Sequence, residues 1–181
     1  GTCRCAGAVA RAGPGARRGP AIAADAAGWG QDLPEGEGIG LAVHRSFVTY
    51  VAAAARVRVA EDGTIEVPEM QIAIDCGFAA NPERIRSQME GAAVMGMTLA
   101  LKSAITFQNG AVMQHNFNDY RMVMSDNFPR QVVTHIVEHP FSVHAAGVGE
   151  PGVPPVAPAI ANALFAATGK RIRDLPIGAS V

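Results

Sequence analysis

Met70, Ile72 and Ile74 recur at every second position of Ile65–Asp75, and that period restricts what the chain can fold into. Successive strand residues point to opposite faces, so these three share one apolar face that needs a cover. Ahead of them, Ile39–His44 and Ser46–Ala60 are rich in strand formers, with Val57 and Val59 alternating with Arg56 and Arg58. Glu61-Asp62-Gly63-Thr64 separates the runs and signals a hairpin, because aspartate and glycine accept the backbone angles of such turns. A sheet with a dry face then requires helices packed on it.

The helices are legible from their ends. Asn81-Pro82-Glu83 supplies an N-cap, a proline suited to the first turn, and an acid near the positive end of the dipole. That helix is expected to run to about Leu101, with Ile85, Met89, Ala92, Ala93, Gly96 and Leu99 near one stripe. Gly91, Ala92, Ala93 and Gly96 are small enough for close backbone contact, and tight core packing is their default role. Val156–Thr168 reads as a second helix, closed by Gly169 and followed by Lys170 and Arg171. Ala21–Ala27 is a short helical candidate ending at Gly28.

Between these, Ala104–Phe107 and Ala111–Gln114 flank Gln108-Asn109-Gly110, where Asn-Gly suits a type I′ turn. Phe117–Pro129 reads as irregular, and Gln131–Glu138 alternates as a strand. No internal repeat is present. The fold class is α+β: an antiparallel, hairpin-built sheet with packed helices.

The 181 residues suffice for one substantial core, and the net charge of -1 with 49% hydrophobic residues is ordinary for a globular piece. No basic excess points to nucleic acid or an anionic membrane. No apolar stretch reaches transmembrane length; the alanine-rich Val51–Ala55 run is short and is followed by Arg56 and Arg58. Cys3, Cys5 and Cys76 fit neither a disulfide framework nor a cysteine zinc site, and Cys76 reads as a buried small hydrophobe. His44, His115, His135, His139 and His144 form no His-Glu-x-x-His pair, so no metal held by protein side chains is expected.

Residues 1–20, GTCRCAGAVARAGPGARRGP, show no periodicity, no initiating Met and no apolar core of a secretory signal. Their Arg, Gly, Ala and Pro content predicts a disordered tail or a non-native segment.

Chemistry concentrates in Gly147-Val148-Gly149-Glu150-Pro151-Gly152-Val153-Pro154-Pro155. Glycines let a backbone approach a ligand closely, and prolines leave the loop few conformations. Glu150 is its one carboxylate. In an apolar, partly dry pocket it becomes a better base, because desolvation disfavours the charged form. Alternatively it is a solvated acid before a helix, favourable to the dipole and without chemistry. Elsewhere, Arg121 is a candidate to pair with Asp119 or Asp126 or to brace a substrate-side wall, the ion pair being the simpler role. Asp75 is explained by turn geometry, His44 and Arg45 by solvent or structural hydrogen bonds, and Gln88 and Glu90 by helix surface.

Gly147–Ile177, GVGEPGVPPVAPAIANALFAATGKRIRDLPI, resembles the C-terminal end of molybdenum hydroxylases, the xanthine dehydrogenase and aldehyde oxidase family. Residues 27–52, 72–97 and 116–129 agree in the same order, so the resemblance runs from about Ala21 to Ile177. Gly-Val-Pro-Pro after Glu-Pro is most similar to the large molybdopterin-binding subunit of isoquinoline 1-oxidoreductase-like enzymes. The resemblance implies that residues 21–181 are the C-terminal portion of a molybdopterin-binding domain. It implies hydroxylation of an N-heterocycle or oxidation of an aldehyde with water-derived oxygen, with Glu150 as the general base.

Backbone amides of Val148 and Gly149 are the implied cofactor contacts. The implied cofactor is molybdopterin cytosine dinucleotide with molybdenum, bound largely by an upstream region. No 2Fe–2S cysteine spacing is present here, so those clusters are expected on a small iron–sulfur partner subunit. The remainder of the large subunit is the other expected partner, and the compartment is open between cytoplasm and periplasm. The competing expectation is a cofactor-free, non-catalytic remnant that acts only as a structural or interaction piece.

Overall fold

The structure is a computed structural model and describes residues 15–178. Its frame is a four-stranded sheet of β1 (Glu37–Ser46), β2 (Thr49–Val59), β3 (Ile65–Asp75) and β6 (Gln131–Ile136), in the order β1-β2-β3-β6. The first three strands are consecutive antiparallel neighbours, while β6 joins β3 in parallel. A small separate hairpin pairs β4 (Phe107–Gln108) with β5 (Ala111–Val112).

Among the described residues, three helices enclose the sheet. On one face, α2 (Pro82–Leu101) and α3 (Val156–Thr168) cover Val51, Ala53, Ala55 and Val57 of β2 together with Met70, Ile72 and Ile74 of β3. On the other, α1 (Gly15–Ala26) places Ala23 against Ala52, Ala54 and Ala73. The alanine run of β2 thus lies between two helix layers, and its small side chains let both layers approach. The period-two face of β3 is the core it was expected to be, with Met70, Ile72 and Ile74 at most 1% exposed.

Local chemistry sets the element ends where sequence signals were strong. Asn81 caps α2 by accepting the Arg84 N–H at 3.2 Å. Gly169 closes α3 with φ 74°, and Gly63 turns β2 into β3 with φ 84° while Asp62 accepts the Thr64 N–H. The Asn109-Gly110 turn forms with both φ positive, although its strands are shorter than expected and residues 104–106 are not strand.

Other expectations need correction. Helix α1 begins at Gly15, six residues before Ala21, and runs through Pro20. Gly15–Pro20 are thus helical, where a disordered tail or non-native segment was expected; packing of α1 on β3, with Gly19 beside Ala73, outweighs poor intrinsic propensity. Residues 1–14, including Cys3 and Cys5, lie outside those described. Ser46 belongs to β1, and the chain reverses at Phe47-Val48, inside the run expected to be continuous strand. In α2, Gly91 faces open space and Leu99 is only partly buried, because both fall off the stripe that meets α3. Gly96 does make the close contact: a Cβ there would meet the Val156 side chain at 2.5 Å.

Two glycines of β1 bring α3 close to the sheet. A Cβ at Gly38 or Gly40 would collide with the α3 backbone around Ala163 and Ala159, so only glycine leaves room for the helix. Asn162 of α3 adds a hydrogen bond to the Leu41 carbonyl at 3.1 Å. The loop preceding α3 is thereby fixed relative to β1.

Candidate active-site loop

The segment before α3 is irregular but tied at every step. Ala146 N–H donates to the Cys76 carbonyl at 2.8 Å, and Gly147 N–H to the Phe47 carbonyl at 3.1 Å. Thr49, fully buried at the start of β2, donates its Oγ1–H to the Gly147 carbonyl at 2.6 Å. Gln88 of α2 donates Nε2–H to the Gly149 carbonyl at 2.7 Å. Beyond Glu150, Pro151 is buried, and Gly152 lies so near α2 that a Cβ would meet Ala92 Cβ at 2.7 Å. Val153 N–H closes a turn on the Glu150 carbonyl at 3.1 Å.

Glu150 therefore sits on a backbone anchored on both sides, with its own side chain exposed. Two concavities among the described residues lie elsewhere, one between β3, α2 and the segment around Asn127, the other along α3 near Ile172. Among the described residues nothing encloses the Glu150 side chain, where a dry pocket was expected. The loop's apolar residues turn inward, with Val148 packed against the core cluster, and leave the carboxylate facing out.

Outside the helices, Gly149 differs from the other described glycines. Its φ is not positive, and a Cβ there would meet nothing within 4 Å, so neither a tight turn nor internal crowding requires glycine. Among the described residues, the amides of Val148, Gly149 and Glu150 donate no hydrogen bond. Three unengaged donors beside open space fit a group that carries acceptor atoms and comes close to the backbone. That arrangement suits the phosphate and pterin acceptors of a molybdopterin.

The turn that meets this loop is strained. Phe47 and Val48 adopt φ 50° and 66°, the left-handed region that costs an L-residue about 1–2 kcal/mol. For a β-branched valine it is an outlier. A Cβ on Gly147 would meet Phe47 Cβ at 2.7 Å, so the hairpin tip leaves no room for a side chain there.

The remaining candidates resolve plainly. Arg121 makes no ion pair among the described residues: Asp119 instead accepts the His115 and Asn116 amides, and those bonds hold its carboxyl below the usual range. The Arg121 carbonyl accepts Ser103 Oγ–H at 2.7 Å. Asp75, nearly buried, approaches the Gly77 amide and bonds His139 Nε2 at 2.8 Å. Cys76 is buried and free, with its thiol pushed up first by burial and then by the Asp75 charge. Arg45 lies over the Tyr50 ring, and Glu90 is exposed on α2. Among the described residues no cluster of three His, Cys, Asp or Glu could hold a metal, and no helix is long and apolar enough to cross a membrane. Sequence reasoning missed Thr49 and assigned Gln88 to mere helix surface. Neither carries a local signal, because their loop contacts span 98 and 61 residues.

The molybdopterin cofactor-binding domain family matches residues 14–129, a span that ends before Glu150. The membrane-bound aldehyde dehydrogenase [pyrroloquinoline-quinone] of Gluconacetobacter polyoxogenes is 31% identical over 82% of this chain and 20% of its own length. Isoquinoline 1-oxidoreductase subunit beta of Brevundimonas diminuta is 32% identical over 81% of this chain and 18% of its own. The aldehyde oxidoreductase structure from Desulfovibrio gigas superposes with a TM-score of 0.63 at 27% identity, over 72% of this chain and 15% of that one. The chain thus spans about a fifth of the length of these curated relatives. It belongs to the molybdopterin cofactor-binding domain family of the molybdenum hydroxylases.

Proposed function

We propose that this chain is the part of a molybdenum hydroxylase large subunit that presents the general base, Glu150, to the reacting substrate. One observation carries the reading: Glu150 stands between two anchored stretches of backbone, beside three unengaged amides and the open space at Gly149. Val148 and Gly149 would hold the cofactor through those amides. When bound, a molybdenum–pterin group supplies two-electron redox chemistry and activates water-derived oxygen. Glu150 accepts the proton from the oxygen nucleophile as it attacks an electron-poor carbon of an N-heterocycle or aldehyde. The missing desolvation is provided by the rest of the subunit closing over the exposed carboxylate.

The cytosine dinucleotide form of the cofactor and 2Fe–2S clusters on a small partner subunit complete this reading, supported by family membership and by the absence of cluster-type cysteine spacing in the sequence. Residues 21–181 are the C-terminal portion of the domain on the same reading. The pyrroloquinoline quinone in one relative's name belongs to that protein; the domain matched here is the molybdopterin one. Replacing Glu150 by Gln in the intact enzyme keeps the side chain's shape and removes the base. Turnover is expected to fall by roughly 10²–10⁴-fold with molybdenum content unchanged. Normal steady-state turnover in that variant would overturn the assignment.

A second reading, a cofactor-free structural piece, draws on the exposure of Glu150 and on apolar side chains facing solvent, such as Phe117 at 85% and Phe141 at 84%. It is separated from the first by the metal content of the isolated chain, argued in the Discussion.

A further inference from the structure

We infer that the β1–β2 turn is the positioning device for Glu150, with Thr49 as its positioning residue. The inference rests on the reading of Glu150 as the base, and it concerns residues that the reading leaves without a role.

Gly147 is held in both directions by one turn. Its N–H donates to the Phe47 carbonyl at 3.1 Å, and its carbonyl accepts Thr49 Oγ1–H at 2.6 Å. Both partners come from a reversal whose two central residues have positive φ. In that geometry the Phe47 carbonyl and the Thr49 hydroxyl both reach Gly147. Strain of this kind persists where the surrounding structure over-determines it, and such strain clusters at sites that pre-organise a reactive group. Thr49 is fully buried and its hydroxyl is satisfied by this one carbonyl, so the donor end of the bond is shielded from competing water.

Gln88 adds a second clamp from α2, on the carbonyl of Gly149, the residue just before Glu150. Two side-chain donors from separate elements therefore fix the carbonyls at alternate residues leading to the base. Misplacing a catalytic group by about 1 Å can lower turnover by roughly 10²-fold, so loosening either clamp acts on the proton-transfer step.

The experiment compares Thr49→Val, Thr49→Ser and Glu150→Gln in the intact enzyme. Valine keeps the buried volume and deletes the donor; serine keeps the donor. For Thr49→Val, kcat is expected to fall about 10- to 100-fold with KM within about twofold and molybdenum content unchanged. Thr49→Ser should restore most of kcat. Wild-type kcat in Thr49→Val beside an inactive Glu150→Gln overturns the clamp and leaves the base reading standing. An active Glu150→Gln overturns the base reading and the clamp with it. Loss of molybdenum in Thr49→Val, or no rescue by serine, marks a merely structural residue and also overturns the proposal. Should Thr49→Val not fold, Gln88→Leu on the exposed face of α2 carries the test, with the same split between kcat and KM expected and an unchanged kcat overturning it.

Discussion

Glu37 shows how one residue couples the sheet edge to pH. It opens β1 opposite Arg58, takes one hydrogen bond from Arg56 and two from Arg58 at 3.0–3.1 Å, and pairs with both guanidinium groups, with only 9% of its side chain exposed. Burial pushes its carboxyl up, but the hydrogen bonds and charges of the two guanidinium groups outweigh that and hold it below the usual carboxylate range. A group whose folded value is depressed adds stability above its unfolded value and loses it as pH falls through the folded one. Asp119, lowered by the His115 and Asn116 amides, acts in the same sense. The protein is therefore expected to lose stability on acidification from the ordinary carboxylate range downward. Glu37→Gln should flatten that dependence in unfolding midpoints measured across acid pH. An unchanged slope would show that the pair contributes nothing to it.

The docking of α3 on β1 is a property of two elements, and glycine decides it. An alanine at Gly40 would press its Cβ into the α3 backbone at Ala159 and Ala163, which cannot rotate away as a side chain can. Gly40→Ala should destabilise by roughly 1–3 kcal/mol, the usual cost of overpacking. Gly91→Ala, where a Cβ meets nothing, should stabilise α2 by about 0.5–1 kcal/mol. Opposite signs in paired denaturant titrations are the check, and equal effects would refute the packing account. The same elements show what the sequence disclosed. Helix α2 was legible at its start, because Asn81 and Pro82 act within one turn, and its end was expected at about Leu101, where it lies. The β1–β2 reversal was not, since Phe47-Val48 carries no turn chemistry and is held by the distant Gly147. Nor was the parallel pairing of β6, or the role of Gly38 and Gly40, because each depends on an element that arrives later in the chain. Glu150 was legible as a residue apart. Its anchors Thr49 and Gln88 were not.

For the molecule as a whole, the balance between covered and uncovered surface decides whether this length of chain holds a cofactor by itself. Pockets that hold a cofactor-sized molecule are concave and bury about 70–90% of its surface. Around Glu150 the described residues offer amide donors on one side and open space on the other, and neither of the two concavities noted above includes it. Apolar side chains at the surface, among them Val48 at 72% and Phe107 at 70% exposed, lack a cover of their own. Contacts to one edge of a ligand cannot offset its lost freedom, so the 181 residues expressed alone are expected to retain neither molybdenum nor pterin. Elemental analysis and fluorescence of the oxidised pterin in the purified chain measure both directly. Stoichiometric metal with pterin would mean that the base, its clamps and the cofactor site form a unit within these residues, and the closing of Glu150 by the rest of the subunit would have to be abandoned.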